Sequence, residues 1–276
     1  MERCWPEPPR HAIDTLYKLG AADRERFERA GYATLLDLPQ DAPLTPIQRR
    51  QCEAARRNGL VVEPGLGEAL EEFEPPLAYL DFETVALPIP VWEGCAPWEP
   101  VPVQISVHRQ ASGGRLVHRE WLADGPGDPR EALAAKLIEF TEGARTIVAY
   151  NASFERGRIR MLRERLPRLA KRLLSIEEKL RELLPVVRNH VYHPDFGGGF
   201  GLKSVAPALV PGIAYGKLAI AGGDDASRML YELLLRGDGL AAGEKRRLRR
   251  DLLRYCRTDT EALARLHRAL APLAGN

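Results

Sequence analysis

The chain has 276 residues, 45% hydrophobic and 28% charged, the balance of an ordinary globular protein with room for one substantial domain and a smaller one. A formal net charge of +2 excludes a global polycation and leaves any nucleic-acid binding to local basic patches. No apolar run approaches the roughly 18 residues of a spanning helix, so none is expected, and the opening MERCWPEPPR carries no apolar signal core.

In chain order, HAIDTLYKL, AADRERFERAG and LTPIQRRQCEAARRNG each show three-to-four-residue apolar spacing and read as short helices, with Gly20, Gly31 and Gly59 at C-cap positions. Asp41 to Thr45, with Pro43 and Pro46, reads as a turn and helix start. Residues 1–75 are thus expected to form a small helical domain. It resembles modules that bind DNA backbones but lacks their glycine-rich hairpin, and a plain packing domain is the competing reading. The Pro/Glu-rich stretch Glu71 to Pro76 is the joint to a second domain, residues 76–276.

Beyond the joint the pattern turns to strands. Leu77 to Asp81 is the first. In PVPVQISVHR, Val101, Val103, Ile105 and Val107 alternate with Gln104, Ser106 and His108. RLVHREWLA is a third strand, and Gly113-Gly114 between them predicts a hairpin. EALAAKLIEFTEG is an amphipathic helix, TIVAY a fourth strand, and the rest is mostly helical. The expected class is α/β, a mixed sheet flanked by helices and preceded by a small helical domain.

Acids occur at three places with chemical meaning. Asp81 and Glu83 lie two apart at the end of an apolar strand, so their carboxylates project from one face. Burying such a pair without partners forces one to take up a proton; a bound divalent cation removes that penalty. Glu155 falls in the first turn of the helix after TIVAY, with Asn151 or Ser153 as its cap. A favourable interaction with the helix dipole explains an acid there equally well. Tyr255 and Asp259, four apart, share a face of the last helix, near an apolar stripe that includes Leu252, Cys256, Leu263 and Leu266.

The order D-x-E at the first strand, N-x-x-F-E after a later strand and Y-x-x-x-D on a late helix resembles the DEDD-type 3′–5′ exonuclease superfamily. That superfamily has a ribonuclease-H-like, DnaQ-like fold, and the match is to its tyrosine-bearing branch. The histidine branch would need His at 254, where this chain has Arg. The phrases YLDFET, VPVQISVH, YNASFE, GLKSVAPAL and YCRTDTEAL look more closely like an uncharacterised bacterial domain family often fused to RecB-like nucleases. The superfamily has Asp at the second site, where this chain has Glu155.

The resemblance implies a hydrolase that cleaves phosphodiester bonds of nucleic acid, DNA ahead of RNA, with two Mg²⁺ or Mn²⁺ ions held by Asp81, Glu83, Glu155 and Asp259. It implies that Tyr255 orients the attacking water. It suggests a cytoplasmic protein with a RecB-like nuclease as partner. Cys4, Cys52, Cys95 and Cys256 are far apart and form no C-x-x-C pair, so they read as reduced thiols. Cys4-Trp5 resembles only the last cysteine of the fused module's iron–sulfur motif, so no iron–sulfur cluster is expected.

Phosphate-binding candidates are Asn151, Lys203, and the arginine face Arg156, Arg160 and Arg163, for which a solvated charged face is the competing reading. The basic run Lys245 to Arg250 reads as solvated. FGGGFGLKS lacks the G-K-[ST] of a phosphate loop, and Lys203 is expected in a substrate-facing loop. A module that keeps the acids but has lost activity, binding nucleic acid or serving a separate nuclease, is the alternative function.

Overall fold

The structure, a computed structural model, describes residues 8–110 and 114–275, apart from the side chain of Lys217. Cys4 and Gly113 lie outside the described residues, and with them the cysteine resemblance and half of the expected Gly113-Gly114 turn. In chain order the elements begin with helices α1 (Ala21–Arg29) and α2 (Pro46–Arg57), strand β1 (Val61–Val62) and helix α3 (Leu66–Leu70). Strands β2 (Leu77–Val85), β3 (Val101–Gln110) and β4 (Leu116–Leu122) follow, then α4 (Arg130–Phe140), β5 (Thr146–Ala149), α5 (Ala152–Arg165), α6 (Ala170–Glu178) and β6 (Leu180–Glu182). The chain continues through α7 (Leu184–His190), β7 (Val191–Tyr192), α8 (Leu202–Leu209), α9 (Gly223–Leu235) and α10 (Ala242–Leu270).

Two compact units form. The first gathers the described residues up to Leu70, Leu184–Pro211 and the described residues from Ala269; the second holds Glu71–Leu183 and Gly212–Arg268. A single cut at residue 75 would assign Leu184–Pro211 to the second domain, but bonds to residues far earlier in the chain hold this segment to the first. β7 pairs antiparallel with β1, Val61 opposite Tyr192. The buried Arg50 donates to the main-chain carbonyls of Arg188 and Asn189.

In the first unit, Thr45 Oγ1 accepts from the Gln48 N–H at 3.3 Å and Gln48 Oε1 accepts from the Thr45 N–H at 2.9 Å. This reciprocal box and Pro46 at the first helical position start α2. Asn58, at φ 46°, ends α2 in the left-handed conformation expected of Gly59; asparagine is the other residue that tolerates it. Gly31 turns the chain after α1 at φ 79°, whereas Gly20 starts α1 instead of ending a helix. HAIDTLYKL forms only a 3₁₀ turn, Ile13–Thr15, bounded by left-handed backbone at His11 and Lys18. Ile13, Leu16, Phe27, Leu35, Leu38 and Cys52 form the core of this unit.

The second unit is the expected mixed sheet flanked by helices. Its strand order is β4-β3-β2-β5-β6. β3 runs antiparallel to β2 and β4, while β5 runs parallel to β2 and β6 to β5. Three-residue β6 was not expected from sequence, where it merges into helical spacing. Ile105 and Val107 join Leu133 and Leu137 of α4 and Ile159 and Leu162 of α5 in one core cluster, each large side chain worth about 1.5–3 kcal/mol on burial.

The alternate face of β3 is buried too, under α10. Gln104 Nε2 donates to the Leu252 carbonyl at 2.9 Å, and Ser106 Oγ and His108 Nδ1 stand 2.7 and 2.8 Å from Thr260 Oγ1. The first strand is longer than its expected end at Asp81. β2 runs on to Val85, pairing Asp81 with Ser106 and Glu83 with Gln104, and its register shifts only between Glu83 and Thr84.

Candidate metal centre

Cross-strand partners share a face of a sheet, so Asp81 and Glu83 point with Ser106 and Gln104 toward α10. The helix answers with Tyr255, Cys256 and Asp259, of which Tyr255 is 3% and Asp259 9% exposed. Cys256 is fully buried, and its Sγ donates to Asp81 Oδ2 at 3.3 Å. Donor atoms of Asp81, Glu83 and Cys256 all lie within 4.8 Å of one another. Glu155, in the first turn of α5 directly after β5, is near enough for its charge to act on Asp81. It is 6% exposed, and its Oε2 is buried without a hydrogen-bond partner.

The electrostatics follow from crowding acids in a desolvated place. Burial pushes the Asp81 carboxyl well above the carboxylate range, and the charges of Glu83, Asp259 and Glu155 push it further. The Cys256 thiol works against this by hydrogen-bonding the charged form. Burial raises Glu155 to about 7, with Glu182 adding to the rise. Burial and then Asp259 raise the Tyr255 hydroxyl. Burial likewise drives the Cys256 thiol up, reinforced by Asp81, so both groups stay protonated.

The structure thus brings together all five residues expected at the catalytic centre. It adds a sixth, Tyr215, whose hydroxyl is raised first by burial and then by the charge of Asp259. In the sequence Tyr215 is a solitary aromatic in AYGK with no periodic context. Cys256 reads from sequence only as a member of the apolar stripe; its position between Tyr255 and Asp259 is the signal for its second contact.

The residues expected to bind phosphate have partners or positions of their own. Arg156 donates to the carbonyls of Glu177 and Leu180 at 3.0 and 3.3 Å. Arg160 and Arg163 pair with the buried Glu177 at 2.5 and 2.8 Å, so this face ties α5 to α6. Asn151 precedes α5 without capping it; its Oδ1 accepts from Ser153 Oγ at 2.9 Å. Lys203 lies in the first turn of α8, in the first unit, rather than in a loop. In the basic run, Arg249 donates to the carbonyls of Leu122 and Ala123, both at 2.8 Å.

A family model described as Domain of unknown function (DUF2779) matches residues 78–201, less than half of the chain. The matched stretch contains Asp81, Glu83 and Glu155 and stops before Tyr215, Tyr255 and Asp259. No curated protein and no solved structure matches the chain. No described helix is long and apolar enough to cross a membrane.

Proposed function

We propose that this chain is a metal-dependent 3′–5′ exonuclease that hydrolyses phosphodiester bonds of nucleic acid, DNA ahead of RNA. One observation carries the reading: four acids from three separated segments converge in a desolvated place, and the charges that shift Asp81 are the other three carboxylates. Such a cluster is unfavourable unless a cation joins it. The donor set suits Mg²⁺ or Mn²⁺, which prefer hard oxygen ligands, and the unpartnered Oε2 of Glu155 has a coordination role to fill. The strand order also supports the reading, with the central strand carrying the D-x-E pair and its antiparallel neighbour inserted before the third strand. That is the sheet expected of a ribonuclease-H-like fold.

Asp81, Glu83, Glu155 and Asp259 would hold the two ions, which supply charge for the attacking and leaving oxygens of an in-line displacement. The chain's own groups do the rest. The protonated Tyr255 phenol positions the attacking water by hydrogen bonding rather than acting as a bulk base. The Cys256 thiol orients the Asp81 carboxylate, and the Tyr215 phenol stands beside that of Asp259.

The loop after β2 supports a polymeric substrate. Ile89, Val91 and Trp98 are exposed there and, with Leu87, Arg228 and Tyr231, help to line an apolar cavity of about 710 Å³. Trp98 sits at φ 60°, an outlier for a bulky residue, with its backbone N–H donating to the Leu87 carbonyl at 2.7 Å. An exposed indole on a backbone anchored this way offers a stacking surface to bases. In the first unit, a cavity of about 420 Å³ lined in part by Lys18, Arg188 and Asn189 supports backbone binding by the helical domain. A cytoplasmic setting and a RecB-like nuclease partner belong to the same proposal.

The test is a polarity assay on end-labelled DNA and RNA, single- and double-stranded, with Mn²⁺ or with chelator. A 5′-labelled strand should shorten to a ladder, a 3′-labelled strand should release mononucleotide at once, and circular single strands should survive. Cleavage in chelator, or rapid cutting of circles, overturns the reading. Binding without cleavage under all conditions identifies the chain as a degenerate nucleic-acid-binding module.

A further inference from the structure

We propose that Asp81, Glu83 and Cys256 form a site for a thiophilic divalent cation, Zn²⁺ or Cd²⁺, in which the Cys256 sulfur is a direct ligand. The proposal rests on the donor set and not on the nuclease reading. Ligands about 2.0–2.3 Å from a tetrahedral zinc stand about 3.3–3.8 Å apart. The three donors lie within 4.8 Å of one another, so side-chain adjustments of up to about 1 Å bring them to that spacing and enclose an ion.

The second, independent observation is Glu155. It is more than nine-tenths buried, its Oε2 has no hydrogen-bond partner, and its charge acts on Asp81, which makes it the nearby candidate for a fourth donor. Sulfur selects among metals in a way that four carboxylates would not. Thiolate favours Zn²⁺ over Mg²⁺ and Mn²⁺, and the general affinity order of divalent ions also places Zn²⁺ above Mn²⁺. On binding, the Cys256 S–H bond breaks, a sulfur–metal bond forms and the proton passes to solvent, with no change of oxidation state. An ion held this way occupies Asp81 and Glu83 and displaces Mn²⁺ from them.

The test is titration of the whole chain with CdCl₂, followed by the thiolate-to-cadmium charge-transfer absorption and by calorimetry. The parent should take up one tightly bound equivalent with the charge-transfer band. Cys256→Ala should lose that band and bind Cd²⁺ at least about tenfold more weakly. Asp81→Asn, which keeps the thiol, should weaken Cd²⁺ binding likewise, and Cys95→Ser should leave it intact. Circular dichroism checks each fold, and Cys256→Ser answers the question if the alanine variant does not fold. The proposal is overturned if Cys256→Ala keeps the band or Asp81→Asn binds Cd²⁺ as tightly as the parent. Since no cleavage is read, a chain that binds Cd²⁺ here and cuts nothing refutes the exonuclease reading alone.

Discussion

The Tyr215 hydroxyl lies near enough to the Asp259 carboxylate to be raised by its charge, so the acid of α10 has a phenol from outside its own helix beside it as well as Tyr255 four residues earlier. The two phenols have separable tasks. Tyr255→Phe keeps the ring and should bind Mn²⁺ like the parent yet turn over more slowly by on the order of 10²–10⁴. Tyr215→Phe removes the hydroxyl beside Asp259 and should weaken Mn²⁺ binding by about 10–100-fold. Mn²⁺ titration by electron paramagnetic resonance, alongside single-turnover rates, separates the two.

The raised pKa of Glu155 makes metal-free stability depend on pH. The folded chain holds this proton more tightly than the unfolded chain, so the group's stabilisation is complete below about 4.5 and is lost as pH rises through about 7. The buried His108 and the half-buried His118 and His267, lowered mainly by desolvation to about 3, 4 and 4, act with the opposite slope below 6.5. A comparison with Glu155→Gln cancels their contribution. In chelator, the variant should match the parent near pH 4.5 and exceed it above pH 7 by on the order of 3 kcal/mol. Saturating Mn²⁺ should reverse the ranking. Thermal melts across pH measure both.

Strand pattern and acid spacing carried a large share of this centre in the sequence. The D-x-E pair, Glu155 after a buried strand and the Tyr255–Asp259 spacing are each local, with periodicities of 2 and 3.6 that need no tertiary knowledge. What was hidden depends on distant partners. The alternation of β3 does not say what covers its polar face, and α10, some 150 residues away, supplies partners for Gln104, Ser106 and His108. Arg160 and Arg163 resemble a phosphate grip until Glu177 is seen between them. Leu184–Pro211 joins the first unit through β1 and Arg50, long-range pairings with no local signature.

Glu177 defines a further outcome. It is buried and held by two arginines, so removing them strands a charge. Arg160→Ala with Arg163→Ala should destabilise the fold by about 3 kcal/mol, and Glu177→Gln in that background should recover part of the loss. Cleavage per folded molecule should not change. A selective loss of substrate affinity in the double variant, with stability intact, would return these arginines to phosphate binding. Urea denaturation and KM measurements read the two cases.

Trp98 should matter for polymers and not for small esters. Stacking of a base on an aromatic ring is worth about 1–3 kcal/mol. Trp98→Ala should therefore raise KM for an oligonucleotide by about tenfold while leaving hydrolysis of a small chromogenic phosphodiester unchanged. Equal effects on both substrates would mean that the indole only holds its own loop.

Gln104 and Thr260 give α10 a fixed height above the sheet. From Leu252 to Thr260 the helix rises eight residues, about 12 Å, while β3 advances roughly 13 Å from Gln104 to His108. The helix is thus pinned at two levels of a strand whose spacing matches its own, with Tyr255, Cys256 and Asp259 between the pins. Sliding by one turn, about 5.4 Å, would break both attachments at once and bury their polar atoms unpaired. β3 contributes no acid to the centre, yet it acts as the ruler that fixes how far along its axis α10 presents them.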